Sequence, residues 1–300
     1  MERLHTARIL IRGAGELGSA VAAHLSAQGI SRILFVEQAF PKAVRRNVCF
    51  SEAIFDHAKT VEGGTARFVM LLSDVDTVHE LGDMAITTQP VPEVLAAWPP
   101  DIYIEATMLR SNWGLSKEVA PLVIALGPGY QAGRDCHAVV ETVRGPRLGR
   151  VLVGGQSLSE APPADIMGYT QERVIKAQRT GIFRTNRDIG HRVEQGEKIG
   201  VVVLLFERAD FYRGVPVDNE YPVVARIGGV LRGLLRDGVP VAAGDRLGDI
   251  DPRGITEDLN HISDKAMRVA EGVLEALILN LDRVPVRSDG AIHHEYAQGI

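Results

Sequence analysis

Residues 7–36, ARILIRGAGELGSAVAAHLSAQGISRILFV, decide how the first half of the chain is interpreted. An apolar run at 9–11 leads into the glycine-rich segment 13–18, and a second apolar run at 33–36 ends just before the acid Glu37. Between them, apolar residues spaced four apart predict a helix that Gly29 ends. This order of strand, glycine turn, helix, strand and acid is typical of a dinucleotide-binding unit.

Each glycine of the pattern has a physical role in that interpretation. Gly13 allows a tight turn, Gly15 lets the backbone approach a diphosphate, and Gly18 lets the helix pack on the strand. The helix N-terminus offers N–H groups to a phosphate. Glu37 follows Gly18 by 19 residues, where a carboxylate accepts ribose hydroxyls. We expect NAD or another nucleotide as the cofactor; in the alternative, the glycines only pack the helix.

Composition limits the classes of partner. The chain has 300 residues, which suggest about two domains, and a net charge of −5, which favours neither nucleic acid nor membranes. We expect a small-molecule partner, and the oligomeric state, including a homo-oligomer, stays open. Two cysteines without a CxxC pattern indicate a cytoplasmic compartment with no disulfide or metal site.

Strands alternate with helical stretches as far as about residue 127, which predicts a parallel sheet. Arg45 and Arg46 follow the second strand of this pattern. They are candidates to hold the phosphates of a nucleotide or an anionic substrate. The alternative is that both lie on a solvated helix face.

The most polar stretch follows, at residues 127–145. Its first glycines, Gly127 and Gly129, form a loop whose amides are candidates to bind an anion, and Arg144 is a candidate to bind a carboxylate or phosphate. No spacing typical of a metal site occurs.

The same stretch contains candidate acid–base residues. Asp135, His137 and Glu141 are near neighbours with the side chains that proton transfer requires. We predict them as catalytic residues. The alternative is that they are surface groups or hydrogen-bonded structural groups.

The second half contains a repeat of period 48, in which residues 174–202 align with 222–250. Seven positions are identical, among them Arg184 with Arg232 and Gly200 with Gly248. Each copy is predicted to form short strands joined by glycine turns, and the two copies must pack together to bury their apolar faces.

The duplicated pattern resembles the barrel-sandwich hybrid of biotinyl and lipoyl carrier domains. Those carriers have a modified lysine between their two halves, whereas residues 203–221 of this chain contain no lysine. We therefore interpret the region as a docking or structural module.

The expected fold class is α/β, with a Rossmann-like parallel sheet, then a pseudo-symmetric all-β barrel-sandwich-like domain and a C-terminal helix. The predicted domains are 1–165, 166–256 and 257–300. In the last, Ser263 is positioned to cap a helix with an apolar stripe.

Several stretches together resemble the YqeB-like family of selenium-dependent molybdenum hydroxylase system proteins. They are IRGAGELGSAVAAHL at 11–25, VRRNVCFSEAIFD at 44–56, the segment 120–151 with GPGYQAG and HAVVET, and the segment 228–254 followed by ISDKA. The resemblance implies an accessory role in maturing or supplying a molybdenum-containing hydroxylase, which would be the client protein. The cargo would then be a nucleotide or the molybdenum cofactor dinucleotide.

Two alternatives remain open. In an NAD(P)-dependent oxidoreductase, His137 or Glu141 would act as the proton donor beside the nicotinamide. In a non-catalytic assembly scaffold, the nucleotide-binding unit would hold no ligand.

Overall fold

A computed structural model describes residues 2–158, 163–204 and 219–286. The helices are α1 (Glu2–Thr6), α2 (Glu16–Ser26), α3 (Ala53–Asp56), α4 (Val75–Glu80), α5 (Val91–Ala97) and α6 (Asp264–Leu279). The strands of the first half are β1 (Ile9–Arg12), β2 (Ile33–Val36), β3 (Ala58–Val61), β4 (Gly64–Phe68), β5 (Met84–Thr87), β6 (Ile102–Glu105), β7 (Leu122–Leu126), β8 (Gln131–Ala132), β9 (Ala138–Val140), β10 (Val151–Leu152) and β11 (Gly155–Gln156). The strands of the second half are β12 (Val174–Lys176), β13 (Gly181–Arg184), β14 (Arg192–Val193), β15 (Lys198–Val203), β16 (Glu220–Val224), β17 (Gly229–Leu234), β18 (Pro240–Val241) and β19 (Arg246–Asp251).

The first half is built on a nine-stranded mixed sheet in the order β10-β9-β7-β6-β1-β2-β5-β4-β3. Its central strands pair in parallel, and β1 lies between β2 and β6. These strands are buried on both faces, as continuous apolar runs in parallel sheets require. At the two edges the pairs β3–β4 and β9–β10 are antiparallel.

Helices α2 and α6 lie side by side on one face of this sheet and share its apolar core. Ser263 caps α6 as expected, since its hydroxyl accepts a hydrogen bond from the Ala266 amide at 3.4 Å. The end of the chain therefore returns to the first half, and α6 stabilises the face on which α2 lies.

The repeat forms two four-stranded antiparallel sheets, in the orders β12-β19-β17-β14 and β16-β15-β13-β18. Each sheet takes its outer strands from one copy and its inner strands from the other. The copies thus share one apolar core, to which Val44 and Phe55 of the first half also contribute.

The expected fold class is wrong. In place of a Rossmann-like parallel sheet followed by a barrel-sandwich-like domain, the chain has a mixed sheet with antiparallel edges and two further antiparallel sheets. Periodicity identifies strands but not the direction in which they pair. The hairpin between β3 and β4 turns at Glu62 and Gly63, both with positive φ, as a two-residue hairpin turn requires.

The two halves are connected by direct contacts. The Leu234 amide donates to the Val44 carbonyl at 2.8 Å, and Arg46 Nε donates back to the Leu234 carbonyl at 2.7 Å. Arg236 donates to Asp56 at 2.7 Å. The segment after β2 is therefore held against β17, and it fixes the repeat beside the main sheet.

The three predicted domain boundaries stay a prediction. Most of the lysine-free segment between the two copies, residues 205–218, lies outside the described residues. Among the described residues, none of the helices has the length and apolar character of a membrane-spanning segment.

Candidate functional site

A cleft of about 1150 Å³ opens where the carboxyl ends of the parallel strands face the repeat. One wall consists of residues that follow β1, β2, β6 and β9, and the other of residues from β12, β17 and β19. Ligands of open α/β sheets bind at this end of the strands. The fold therefore brings two regions that are distant in sequence to one candidate site.

The three glycines of the turn after β1 have different surroundings. Gly13 has φ +97°, and a Cβ there would lie 3.0 Å from the backbone of Ala106 and Thr107. A Cβ on Gly18 would lie 2.0 Å from the Gly13 carbonyl oxygen. A Cβ on Gly15 would meet nothing within 4 Å, and Gly15 precedes α2 without a side-chain cap. The first amides of α2 are thus left uncapped beside the cleft.

Glu37 directly follows β2 and lines the same cleft. Its carboxylate accepts hydrogen bonds from the amides of Ala14 and Gln38, both at 2.8 Å. Burial raises the pKa of Glu37, while these two hydrogen bonds and the charge of Arg12 oppose the shift. The carboxylate therefore already binds one amide of the glycine turn, and its assignment to a ribose stays a prediction.

Basic side chains dominate the lining of the cleft. Ten of its described residues are Lys or Arg and three are Asp or Glu, in a chain with a net charge of −5. The basic residues are Arg12, Lys42, Arg45, Arg110, Arg144, Arg173, Lys176, Arg232, Arg246 and Lys265. A concave site with this excess of one sign attracts ligands of the opposite sign.

A buried carboxylate supports the wall after β6. Glu105 is fully buried and accepts hydrogen bonds from Arg12 Nη1 at 3.1 Å, from the Thr107 amide at 3.2 Å and from the Thr107 hydroxyl. Burial, together with the charge of Glu105, raises the pKa of Tyr103, whose hydroxyl lies 3.4 Å from the same carboxylate. The network fixes the loop after β6 against the turn after β1.

Gly127 and Gly129, the predicted anion-binding glycines, allow two loops to approach closely. Their φ values are +73° and +101°. A Cβ on Gly127 would lie 2.6 Å from the Thr142 hydroxyl, and one on Gly129 would lie 2.4 Å from the Leu109 carbonyl oxygen. Neither glycine lines the cleft, although Pro128 between them does. Close packing explains both positions, and their role toward a ligand stays a prediction.

Arg144 does lie in the cleft, as a ligand-binding role requires. Its side chain is exposed and has no hydrogen-bond or ion-pair partner among the described residues. The Arg144 side chain can therefore bind a ligand without breaking an internal contact.

His137 and Asp135 do not line the cleft. His137 precedes β9 and lies at the amino end of the parallel strands, where its Nδ1 accepts from the Val123 amide at 3.0 Å. Asp135 is bound by Arg134 at 2.8 Å and by the Gln131 amide at 2.8 Å. Both have structural partners away from the cleft, and their catalytic assignment stays a prediction.

Glu141 lies at the carboxyl end of β9 and is 1% exposed. It accepts hydrogen bonds from the amides of Leu158, Val143 and Thr142 and from the Ser157 hydroxyl, all at 2.7–2.9 Å. Burial acts to raise the pKa of Glu141, but these hydrogen bonds outweigh it and lower the pKa. The residue is therefore an ionised carboxylate with hydrogen bonds on both oxygens, which fixes the loop that carries Arg144.

The sequence did not identify the charged residues that the repeat contributes. Asp249 is 1% exposed and has Arg246 at 2.6 Å, Arg173 at 3.3 Å and Arg232 at 4.0 Å. The aligned residue of the first copy is Val201. Aligned positions of two packed copies should be equally buried, so a carboxylate at the position of a valine was a sequence signal for a buried charge.

Arg45 and Arg46 have different roles in the structure. Arg46 bonds to Asp188 at 2.6 Å and to the Leu234 carbonyl, and it connects the two halves. Arg45 is 4% exposed and lies on the cleft wall. The alternative of a solvated helix face holds for neither residue.

The sequence is 38% identical over 272 residues to a protein of Escherichia coli strain K12 described as "Uncharacterized protein YqeB". The match covers 90% of this chain and 47% of that protein, so the chain spans about half the length of this relative. This identity supports a YqeB-like family. No family model matches the sequence.

Among solved structures, similar chains have low identity. A product-bound ectoine utilization protein EutE (DoeB) from Ruegeria pomeroyi has a TM-score of 0.23 at 10% identity, covering 81% of this chain and 56% of its own. A succinylglutamate desuccinylase/aspartoacylase from Rhodobacter sphaeroides has a TM-score of 0.26 at 13% identity, and the match covers 81% of this chain and 85% of that protein. An aspartoacylase family protein from Mesorhizobium loti has a TM-score of 0.27 at 12% identity, and the match covers 81% of this chain and 84% of that protein. With TM-scores this low, these similarities support no functional argument.

Proposed function

We propose that the chain is a nucleotide-binding accessory protein for a molybdenum-containing hydroxylase. Its ligand is a nucleotide with a diphosphate, bound in the basic cleft. The observation that carries the binding proposal is the lining of that cleft, with ten basic and three acidic residues at the uncapped N-terminus of α2.

The chemistry of the cleft suits a diphosphate. Amides at a helix N-terminus carry a partial positive charge and donate to phosphate oxygens. The open space beside Gly15 leaves these amides accessible, and Arg144 supplies a side chain that can bind a phosphate bidentately. A ligand with several negative charges gains most from this excess of positive charge.

The role in maturation or cofactor supply rests on the resemblance to selenium-dependent molybdenum hydroxylase system proteins. A molybdenum cofactor dinucleotide has the diphosphate that the cleft would bind, and the client hydroxylase would receive it. The cysteines Cys49 and Cys136 are both buried and unpaired, which fits action in the cytoplasm.

The alternative of an NAD(P)-dependent oxidoreductase has weaker support. Its proposed proton donors are His137, which lies at the opposite end of the strands, and Glu141, whose oxygens are all hydrogen-bonded. Neither is in position to give a proton to a substrate in the cleft.

Calorimetric titration of the purified chain with NAD, NADP and cytidine nucleotides tests the proposal. We expect binding that Gly15→Val weakens by about two orders of magnitude, roughly 2.7 kcal/mol. The variant should fold, because Gly15 has φ −70° and ψ −173°, which valine adopts, and its Cβ would meet no atom within 4 Å. The added side chain would occupy the space of the diphosphate.

Gly154→Val is the matched control. A Cβ on Gly154 also meets nothing within 4 Å, but this exposed residue is outside the cleft. It should bind nucleotides like the parent chain. Unchanged affinity in Gly15→Val would refute the site, and no binding by the parent chain would favour the scaffold alternative. A change in nicotinamide absorbance that depends on a second substrate would favour the oxidoreductase.

A further inference from the structure

Arg45 holds a positive charge on the cleft wall that its surroundings only partly balance. Its Nη2 donates to the carbonyls of His261 at 2.9 Å and Asp258 at 3.2 Å, which fix the guanidinium from behind. Its Nε and Nη1 are buried and have no hydrogen-bond partner among the described residues. The nearest carboxylate, that of Glu16, lies 3.6 Å from Nη1.

The wall formed by the repeat adds more positive charge than its one carboxylate, that of Asp249, can balance. Three arginines surround Asp249, and Arg232 is the most distant of them, at 4.0 Å. Lys176 is exposed on the neighbouring strand β12, lines the cleft and has no partner among the described residues. Arg232 and Lys176 are therefore available to an anion from the cleft.

The positive charge of Arg232 also acts on the pKa of Arg45. Burial lowers the pKa of Arg45, the carboxylate of Glu16 opposes this shift, and the positive charge of Arg232 adds to it. Like charges that face one cleft are stabilised by an anion between them. Glu16 is the first residue of α2, so such an anion would lie beside the helix N-terminus rather than in a separate pocket.

We propose that Arg232, Lys176 and Arg45 form a second anion subsite, which binds a phosphate group of the ligand next to the phosphate at the start of α2. The inference rests on the proposed function of the same cleft and specifies its ligand class. The ligand has at least two phosphate groups, and the repeat binds one of them directly.

Titration with inorganic pyrophosphate at constant ionic strength tests this subsite. We expect Arg232→Met to weaken binding about tenfold, because it removes a charge-assisted contact to phosphate. Arg184→Met is the matched control, since Arg184 is the same residue in the first copy, lies outside the cleft and pairs with exposed Asp237 at 3.4 Å. It should bind pyrophosphate like the parent chain.

A second titration separates the two subsites. Inorganic phosphate should still bind to Gly15→Val, and should bind about tenfold more weakly when Arg232→Met is added to it. Parent-like pyrophosphate binding by Arg232→Met, or equal weakening by Arg184→Met, would overturn the inference. If Gly15→Val bound pyrophosphate like the parent while Arg232→Met did not, the site at α2 would fail and the subsite on the repeat would stand.

Discussion

The two copies of the repeat form corresponding strands in different surroundings, and β17 has a register shift between Leu231 and Gly233 that β13 does not have. A Cβ on Gly200 would lie 2.5 Å from the Arg184 carbonyl oxygen, and a Cβ on the aligned Gly248 would lie 2.5 Å from the Gly233 carbonyl oxygen. Their aligned arginines differ, since Arg184 pairs with Asp237 at an exposed position and Arg232 faces the cleft. Duplication thus specifies the strands, and position beside the main sheet specifies which residues of each copy reach the cleft, Lys176 from the first and Arg232 from the second.

The largest expected effect on the free energy of unfolding comes from replacing Asp249 of the second copy by valine, the residue at the aligned position 201 of the first copy. Asp249→Val would leave Arg173, which is nearly fully buried, without its carboxylate. Loss of one partner of a buried ion pair costs about 3–5 kcal/mol. Chemical denaturation should show a decrease of this size in the free energy of unfolding.

Asp237→Ala is its control, since it removes the exposed partner of Arg184. An exposed ion pair contributes about 1 kcal/mol or less. A small effect of Asp249→Val, similar to that of Asp237→Ala, would contradict the different roles assigned to the copies.

Glycine substitutions test the feature that the copies share. Gly200→Ala and Gly248→Ala should each lower the free energy of unfolding by about 1–3 kcal/mol, because the added methyl group would overlap a backbone carbonyl. Gly228→Ala should cost much less, since its Cβ would come no closer than 3.6 Å to another atom. Unequal losses of unfolding free energy in these two variants would indicate that the two glycines are not equally close to a backbone carbonyl in solution.

The smallest effect is expected at two surface ion pairs. Asp245 of the second copy pairs with Lys42 of the first half at 2.5 Å, whereas Glu197, its counterpart in the first copy, pairs with Arg187 of its own copy at 2.5 Å. Lys42→Met and Arg187→Met should each cost about 1 kcal/mol or less, and the cost should fall as salt is added. A much larger cost for Lys42→Met would mean that this contact holds the halves together.

Much of the local structure could be predicted from the sequence. The helix after Gly15, the strand at Ile33–Val36 and the cap at Ser263 follow from apolar spacing and capping chemistry, and all three are observed. The fold class was wrong because spacing does not reveal strand direction at the sheet edges.

The candidate site was only partly predictable. Gly15 and Arg144 line the cleft. His137 does not, because it precedes β9, which pairs in parallel with β7, and so lies at the end of the sheet opposite to the cleft. Arg232 and Lys176 reach the cleft through contacts between residues far apart in sequence, for which local patterns give no signal.

The most direct test is a crystal structure of the chain with whichever nucleoside diphosphate or dinucleotide binds most tightly. We expect phosphate oxygens within hydrogen-bond distance of the Glu16 and Leu17 amides, and a second phosphate at Arg232. A ligand bound outside the cleft, or a diphosphate that contacts neither α2 nor the repeat, would contradict the account.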